Sequence, residues 1–191
     1  MGERDVCTDE HFCAIGKVAD AWATLELYIN RAIWELMDVE QAIGACTTAN
    51  VSSFNLKMNT LVALLAYRGA PEANIKTFNK FSENASGLAR QRNRFLRDAW
   101  FGQKGTRSPY QFIVTADKKI ELGFKAVPTD DLYTLKSKIH DKCNKFLTAM
   151  MFGKFCQTSL QQGSNDLREF LALIQCEIIL AQNFNTSHDH L

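Results

Sequence analysis

Arg90, Arg92, Arg94 and Arg97 place four guanidinium groups within eight residues, in the string Arg90-Gln91-Arg92-Asn93-Arg94-Phe95-Leu96-Arg97-Asp98-Ala99-Trp100-Phe101. A guanidinium stays charged and offers a planar fork of donors, so such a cluster suits holding phosphate oxygens better than moving protons. One member differs from the rest. The apolar positions Ile75, Phe78, Phe81, Ala85 and Leu88 step by threes and fours, and the same stepping lands next on Arg92 and then on Phe95. An unpaired charge on a core-facing line is too costly to persist. Arg92 therefore either pairs with a carboxylate of the first helix, such as Asp20 or Glu26, or contacts phosphate or RNA, or takes part in residual catalysis. Arg90, Arg94 and Arg97 read as a solvated basic face or as a dedicated RNA-binding one. Trp100 and Phe101 are expected to close the core, with base stacking as the alternative.

The elements that must position this cluster are mainly helical. Ile15, Val18, Trp22, Leu25, Ile29, Ala32 and Leu36 alternate steps of three and four without a break. That heptad seam predicts a first helix of roughly 25 residues, packed along its length on another helix or on a second copy. Leu27 and Trp34 lie off the seam and call for a further helix on that flank. The Gly44 region is expected to end the first helix. Ser52 or Ser53 then caps the next, whose inner face is Phe54, Met58, Leu61 and Leu65, and Gly69 stops it. With Pro71 in its first turn, a third helix runs from Ile75 to Leu96. Gly87 within it suggests a close helix crossing.

After Trp100 the composition turns to Gly102, Gly105, Thr106, Ser108 and Pro109. Two β-prone runs follow, Tyr110 to Thr115 and Lys119 to Phe124, which read as a hairpin that must rest on the helices or join another sheet edge. A fourth helix opens at Thr129 as cap, with Asp130 and Asp131 in its first turn and Leu132, Leu135, Ile139, Phe146 and Met150 facing inward, interrupted by Lys142. A linker from Gly153 to Gly163 leads to a last helix through Leu167, Phe170, Leu171, Ile174 and Ile178, then a polar tail. The expected fold is a mainly α antiparallel bundle of four to five helices with one inserted β-hairpin. Residues 1–152 form the helical domain, including the hairpin at 109–125, and 153–191 form the C-terminal extension. The strong apolar face of the last helix must be covered by the bundle, a second subunit or another protein.

Of 191 residues, 46% are hydrophobic and only three are proline, enough for one substantial core. Lys and Arg number 22 against 21 Asp and Glu, so attraction to a polyanion has to be local to the arginine cluster. The six cysteines are widely spaced, without a Cys-x-x-Cys pair, and read as reduced thiols. The first residues carry no basic and apolar leader pattern, and no apolar run reaches the roughly 18 residues of a membrane span, which points to a cytoplasmic protein without membrane attachment. No metal-ligand spacing and no cofactor-binding motif stands out, so neither metal nor cofactor is expected.

Arg92-Asn93, with Arg97-Asp98 at the helix end, resembles the motif of HEPN domains. These are compact helical modules of prokaryotic defence and toxin systems, in which an arginine, often followed by asparagine, precedes a histidine. Ala21-Trp22-Ala23, Ile33-Trp34, Gly44-Ala45-Cys46, Ala63-Leu64-Leu65 before Arg68-Gly69, and Phe78-Asn79-Lys80-Phe81 look similar to an uncharacterised bacterial family of this kind, over roughly residues 10–150. The resemblance implies Arg92 and Asn93 as catalytic residues, Arg90, Arg94 and Arg97 as contacts to RNA or phosphate, and a homodimer whose two Arg-Asn motifs share a cleft. In Arg-Asn-x-x-x-His the histidine would stand at position 97, which here is Arg97. HEPN ribonucleases are thought to direct a ribose 2′-oxygen onto the adjacent phosphorus, a step that needs proton transfer. Histidine suits that task, whereas arginine suits only charge stabilisation. His11 lies ahead of the first helix, His140 is in mid-helix, and His188 and His190 are in the tail. The resemblance thus favours a non-catalytic interaction module contacting RNA or phosphate in a defence or toxin-antitoxin setting. A metal-independent endoribonuclease with an atypical proton-transfer group and a purely structural dimerisation domain are the alternatives.

Overall fold

The computed structural model describes residues 7–102, 108–116 and 120–152. Among these residues are five helices, α1 (Asp9–Met37), α2 (Gln41–Ala49), α3 (Phe54–Tyr67), α4 (Glu72–Arg97) and α5 (Thr129–Phe152). Between α4 and α5 lies a small antiparallel sheet of β1 (Trp100–Phe101), β2 (Tyr110–Ala116) and β3 (Ile120–Ala126), in the order β1-β2-β3. The chain is therefore mainly helical with an inserted hairpin. The expected linker, last helix and tail at 153–191 lie outside the described residues. Two compact units are distinguished, Met1–Tyr28 with Phe81–Cys143, and Ile29–Lys80 with Asn144–Leu191, so that α1, α4 and α5 each contribute to both.

The first unit contains the sheet. Thr8 opens α1: its Oγ1 accepts the His11 N–H at 3.3 Å, and Asp9 and Glu10 occupy the turn where negative charge is favoured. Val18, Trp22 and Leu25 of the seam are buried, and Ile15 is half-buried because Ala14 takes the covered position beside it. α5 runs alongside α1 in the same direction. His11 Nδ1 meets Thr129 Oγ1 at 3.2 Å, Lys17 Nζ lies 5.2 Å from the Tyr133 ring centre, and Cys143 Sγ donates to Ala21 O at 3.8 Å. Where Lys142 was expected to break the inner line of α5, the line moves over by one residue to Cys143, which is buried. Burial pushes the Cys143 thiol up to about 12, while Lys142 extends its ammonium over the Phe81 ring at 6.0 Å. Gly87 does not mark a close crossing, since a side chain there would meet open space, and α4 passes through it unbroken.

The sheet extends the expected hairpin by a third, two-residue strand, too short to leave a pattern in the sequence. Trp100 pairs with Gln111 and Phe101 with Tyr110; Phe112 pairs with Phe124 and Val114 with Leu122. The Phe112 N–H also bonds Ala99 O at 2.9 Å, tying β2 to the segment that leaves α4.

In the second unit α1 ends seven residues before Gly44. Asp38 takes the left-handed conformation, φ 57°, and the Val39 N–H reaches back to Trp34 O at 3.4 Å, which closes the last turn. Gly44 instead sits inside α2, a helix the pattern did not reveal, and covers Trp34. The flank coverage required by Trp34 is thus met, while Leu27 remains exposed. Phe54, Met58, Leu61 and Leu65 of α3 are buried as their spacing requires. Gly69 ends that helix with φ 75°, and Arg68 Nε donates to Leu36 O at 2.8 Å, satisfying a carbonyl left open at the end of α1. Phe78 packs edge-on against Phe146 with ring centres 5.7 Å apart.

Candidate functional site

The four arginines separate into one and three. Arg92 is half-buried and turned toward α1, its guanidinium carbon 5.6 Å from the ring centre of the buried Trp22. An aromatic face attracts a cation without adding an anion to the interior, a contribution of about 1 kcal/mol. Arg92 Nη1 donates to Asn93 Oδ1 at 2.8 Å, whereas Nε is buried with no hydrogen-bond partner. Burial holds the guanidinium below its ordinary pKa; the carboxylate of Glu26 opposes that shift, and the positive charge of Arg97 adds to it. Of the two carboxylates expected as partners, Glu26 therefore acts through its field and Asp20 is exposed, while the direct hydrogen bond goes to Asn93. The two residues of the Arg92-Asn93 pair touch each other, and Arg97 is close enough for its charge to be felt at Arg92.

Arg90, Arg94 and Arg97 follow at steps of four and three and form a stripe along α4, with Arg90 and Arg97 exposed and Arg94 half-buried. Mutual repulsion along such a stripe costs a few tenths of a kcal/mol per pair. Arg94 and Arg97 lie in the last turn, where the unpaired carbonyls carry partial negative charge and offset that repulsion. The same helix end repels an approaching anion. Any phosphate bound here is consequently held by side-chain donors, without the help that a helix N-terminus gives.

Two neighbours of the cluster are committed to packing. Asp98 accepts a hydrogen bond from Nε2 of the buried Gln111 at 3.1 Å, anchoring the sheet to the end of α4. Trp100 Nε1 donates to Phe95 O at 2.9 Å, and its ring meets that of Phe95 at 5.8 Å and that of His11 at 4.4 Å. Trp100 thus closes the core as expected. Phe101 does not: it lies on the outer side of the sheet, 5.5 Å from the Phe124 ring and partly exposed, because successive strand residues point to opposite faces.

His11 is the residue that sequence reasoning missed. It is the third residue of α1, fully buried, with Nε2 lacking a partner, and the fold brings it to Trp100, directly after the arginine cluster. The hydroxyl of Thr129, the first residue of α5, meets His11 Nδ1 at 3.2 Å. The polar-apolar alternation around Thr8 to Cys13 carries no signal for this placement, which depends on residues more than 80 positions away. Its burial removes His11 from contact with any substrate in solution and lowers its pKa. Above the ordinary imidazole range, near 6.5, the residue is neutral both folded and unfolded, and its contribution to stability is complete. As pH falls below that range the unfolded chain takes up a proton that the buried ring does not, so stability drops until the lowered folded pKa is passed. The expected result is an earlier urea midpoint at about pH 5.5 than at about pH 7.5, with a smaller difference in His11→Asn. An equal difference in that variant would exclude His11 as the source. His140 is exposed on α5, and His188 and His190 lie outside the described residues.

Among the described residues no three His, Cys, Asp or Glu side chains come together as ligands for a metal ion, and no helix is long and apolar enough to cross a membrane. Compared with known proteins, the chain matches no family model, no curated protein and no solved structure.

Proposed function

We propose that the end of α4 is the phosphate-holding site of a HEPN-like, non-catalytic module that contacts RNA in a prokaryotic defence or toxin-antitoxin setting. The observation that carries this reading is the juxtaposition of Arg92, hydrogen-bonded to Asn93, with the charge of Arg97. Two like charges within each other's field in a partly desolvated place are relieved by an anion between them. At the position where the resemblance calls for histidine, Arg97 supplies charge and no proton-transfer group near neutrality. The buried His11 cannot take over that task. The site therefore holds phosphate and does not cut.

The test is fluorescence anisotropy of a labelled single-stranded RNA at low salt, run beside a cleavage assay. The parent chain is expected to bind without cleaving, and added salt weakens the binding as counterions compete. Arg92→Ala and Arg97→Ala each remove a charge-assisted contact and are expected to lower affinity about 10- to 100-fold, whereas Arg92→Lys keeps the charge and loses part of that. Absence of binding at low salt would overturn the proposal in favour of a structural dimerisation domain. Cleavage by the parent that disappears in Arg92→Ala would replace it with an endoribonuclease.

A further inference from the structure

The sheet has its apolar side outward. β2 and β3 pair so that Phe112 faces Phe124 and Val114 faces Leu122 across the ladder, and Ile120 continues the same face at the start of β3. Pairing of Phe101 with Tyr110 carries that face onto β1. The Phe124 ring touches two others, with ring centres 5.5 Å from Phe101 and 5.0 Å from Phe112. These side chains are open: Val114 is 58% exposed, Ile120 76%, Leu122 66% and Phe124 62%. The opposite face carries Trp100 and the buried Gln111, bonded to Asp98, and it is this side that is tied to α4. A sheet covered on one side normally turns its apolar face to the core and its polar face to water. Here Ile113 joins Trp100 and Gln111 on the covered face, while the larger apolar set is left on the open one.

We infer that this outer face packs on the same face of a second copy of the chain. Three features identify that occupant. No charged side chain stands among Phe101, Phe112, Val114, Ile120, Leu122 and Phe124, so two identical faces meet without burying a charge or opposing like charges. An isologous contact needs only one patch that is complementary to itself, and an open apolar sheet face meets that need. The size also fits. The exposed parts of these side chains make up on the order of 500 Å² of apolar surface, close to the apolar share of the roughly 800 Å² that each partner buries in a stable dimer. Sheets stacked in this way lie about 10 Å apart with their side chains interleaved. The inference does not depend on the phosphate reading, because the arginine stripe and this face are formed by different residues.

Light scattering on the eluting full-length chain, from about 1 to 100 μM, tests it. The expected mass is twice the 21.6 kDa of one chain. Ile120→Lys and Leu122→Gln each alter an exposed position and are expected to weaken the dimer at least a hundredfold, leaving single chains with an unchanged far-ultraviolet circular dichroism spectrum. Arg92→Ala and Arg97→Ala are expected to remain dimeric. A parent that is a single chain at 100 μM would overturn the inference, and so would a dimer that survives both sheet substitutions. Dissociation by the arginine variants alone would place the contact at the Arg-Asn motif instead.

Discussion

Trp22→Ala is expected to lose about 3–5 kcal/mol of folding stability, the usual cost of emptying a large buried aromatic site, read as a shift of the urea midpoint at unchanged slope. Trp22 is only 1% exposed and lies in the middle of the α1 seam. The substitution also removes the ring over which the Arg92 guanidinium rests, leaving a partly desolvated cation whose Nε already has no partner. The loss is large against the 5–15 kcal/mol that separates a typical domain from its unfolded state. Trp22→Phe separates the two contributions. It retains an aromatic face and most of the volume, so it should recover more than half of the lost stability. If Trp22→Ala costs less than about 1 kcal/mol, below the range for such truncations, the helix seam does not carry the packing assigned to it.

Gly44→Ala is expected to destabilise the chain by about 1–3 kcal/mol, the range for overfilling a packed site. On propensity alone the sign would be the opposite, since alanine is favoured over glycine by about 1 kcal/mol within a helix. A Cβ on Gly44 would stand 2.6 Å from Trp34 Cδ1 and 2.9 Å from Trp34 Cβ, and closer still to Cγ. The indole has little room to give way, because Trp34 Nε1 donates to Thr48 Oγ1 at 3.0 Å, and that hydroxyl donates to Gly44 O at 3.1 Å. Denaturant titration gives the stability. Trp34→Phe as background identifies the cause, since the smaller ring makes Gly44→Ala much less costly there. Stabilisation by Gly44→Ala in the parent chain would show that α2 does not close on Trp34.

The Gly44 case shows where the sequence stops being legible. A glycine in a stretch of small residues reads as a helix end, because the local cost of glycine in a helix is visible and the tryptophan that requires it is not. The actual end is set by Asp38 in the left-handed conformation, which side chains other than glycine seldom adopt and which leaves little pattern. Cys143 gives the complementary lesson. Three-and-four stepping placed Lys142 on the inner line of α5, but a helix advances slightly more than a strict heptad allows, and the covered stripe drifts onto the next residue.

The arginine site was legible in part. Periodicity alone singled out Arg92 as the one turned inward, and the half-buried guanidinium on Trp22 agrees with it. What Arg92 would bond to was not legible: carboxylates of α1 were the obvious partners, and the hydrogen bond instead goes to the adjacent Asn93. Phe101 turned outward because strand pairing, invisible for a two-residue segment, assigned it to the other face from Trp100.

By itself, then, the amino-acid order determined the helical class, the seam of α1, the inner face of α3, the hairpin, and the exceptional position of Arg92. Each of these follows from spacing within one element, where period and side-chain type suffice. Only the tertiary structure decided that His11 lies buried beside Trp100, that Gly44 covers Trp34, and that the sheet sets the Trp100 and Gln111 side against α4 and its larger apolar side outward. Those outcomes depend on contacts between segments distant in the chain, and no local pattern encodes which distant surface a given face will meet.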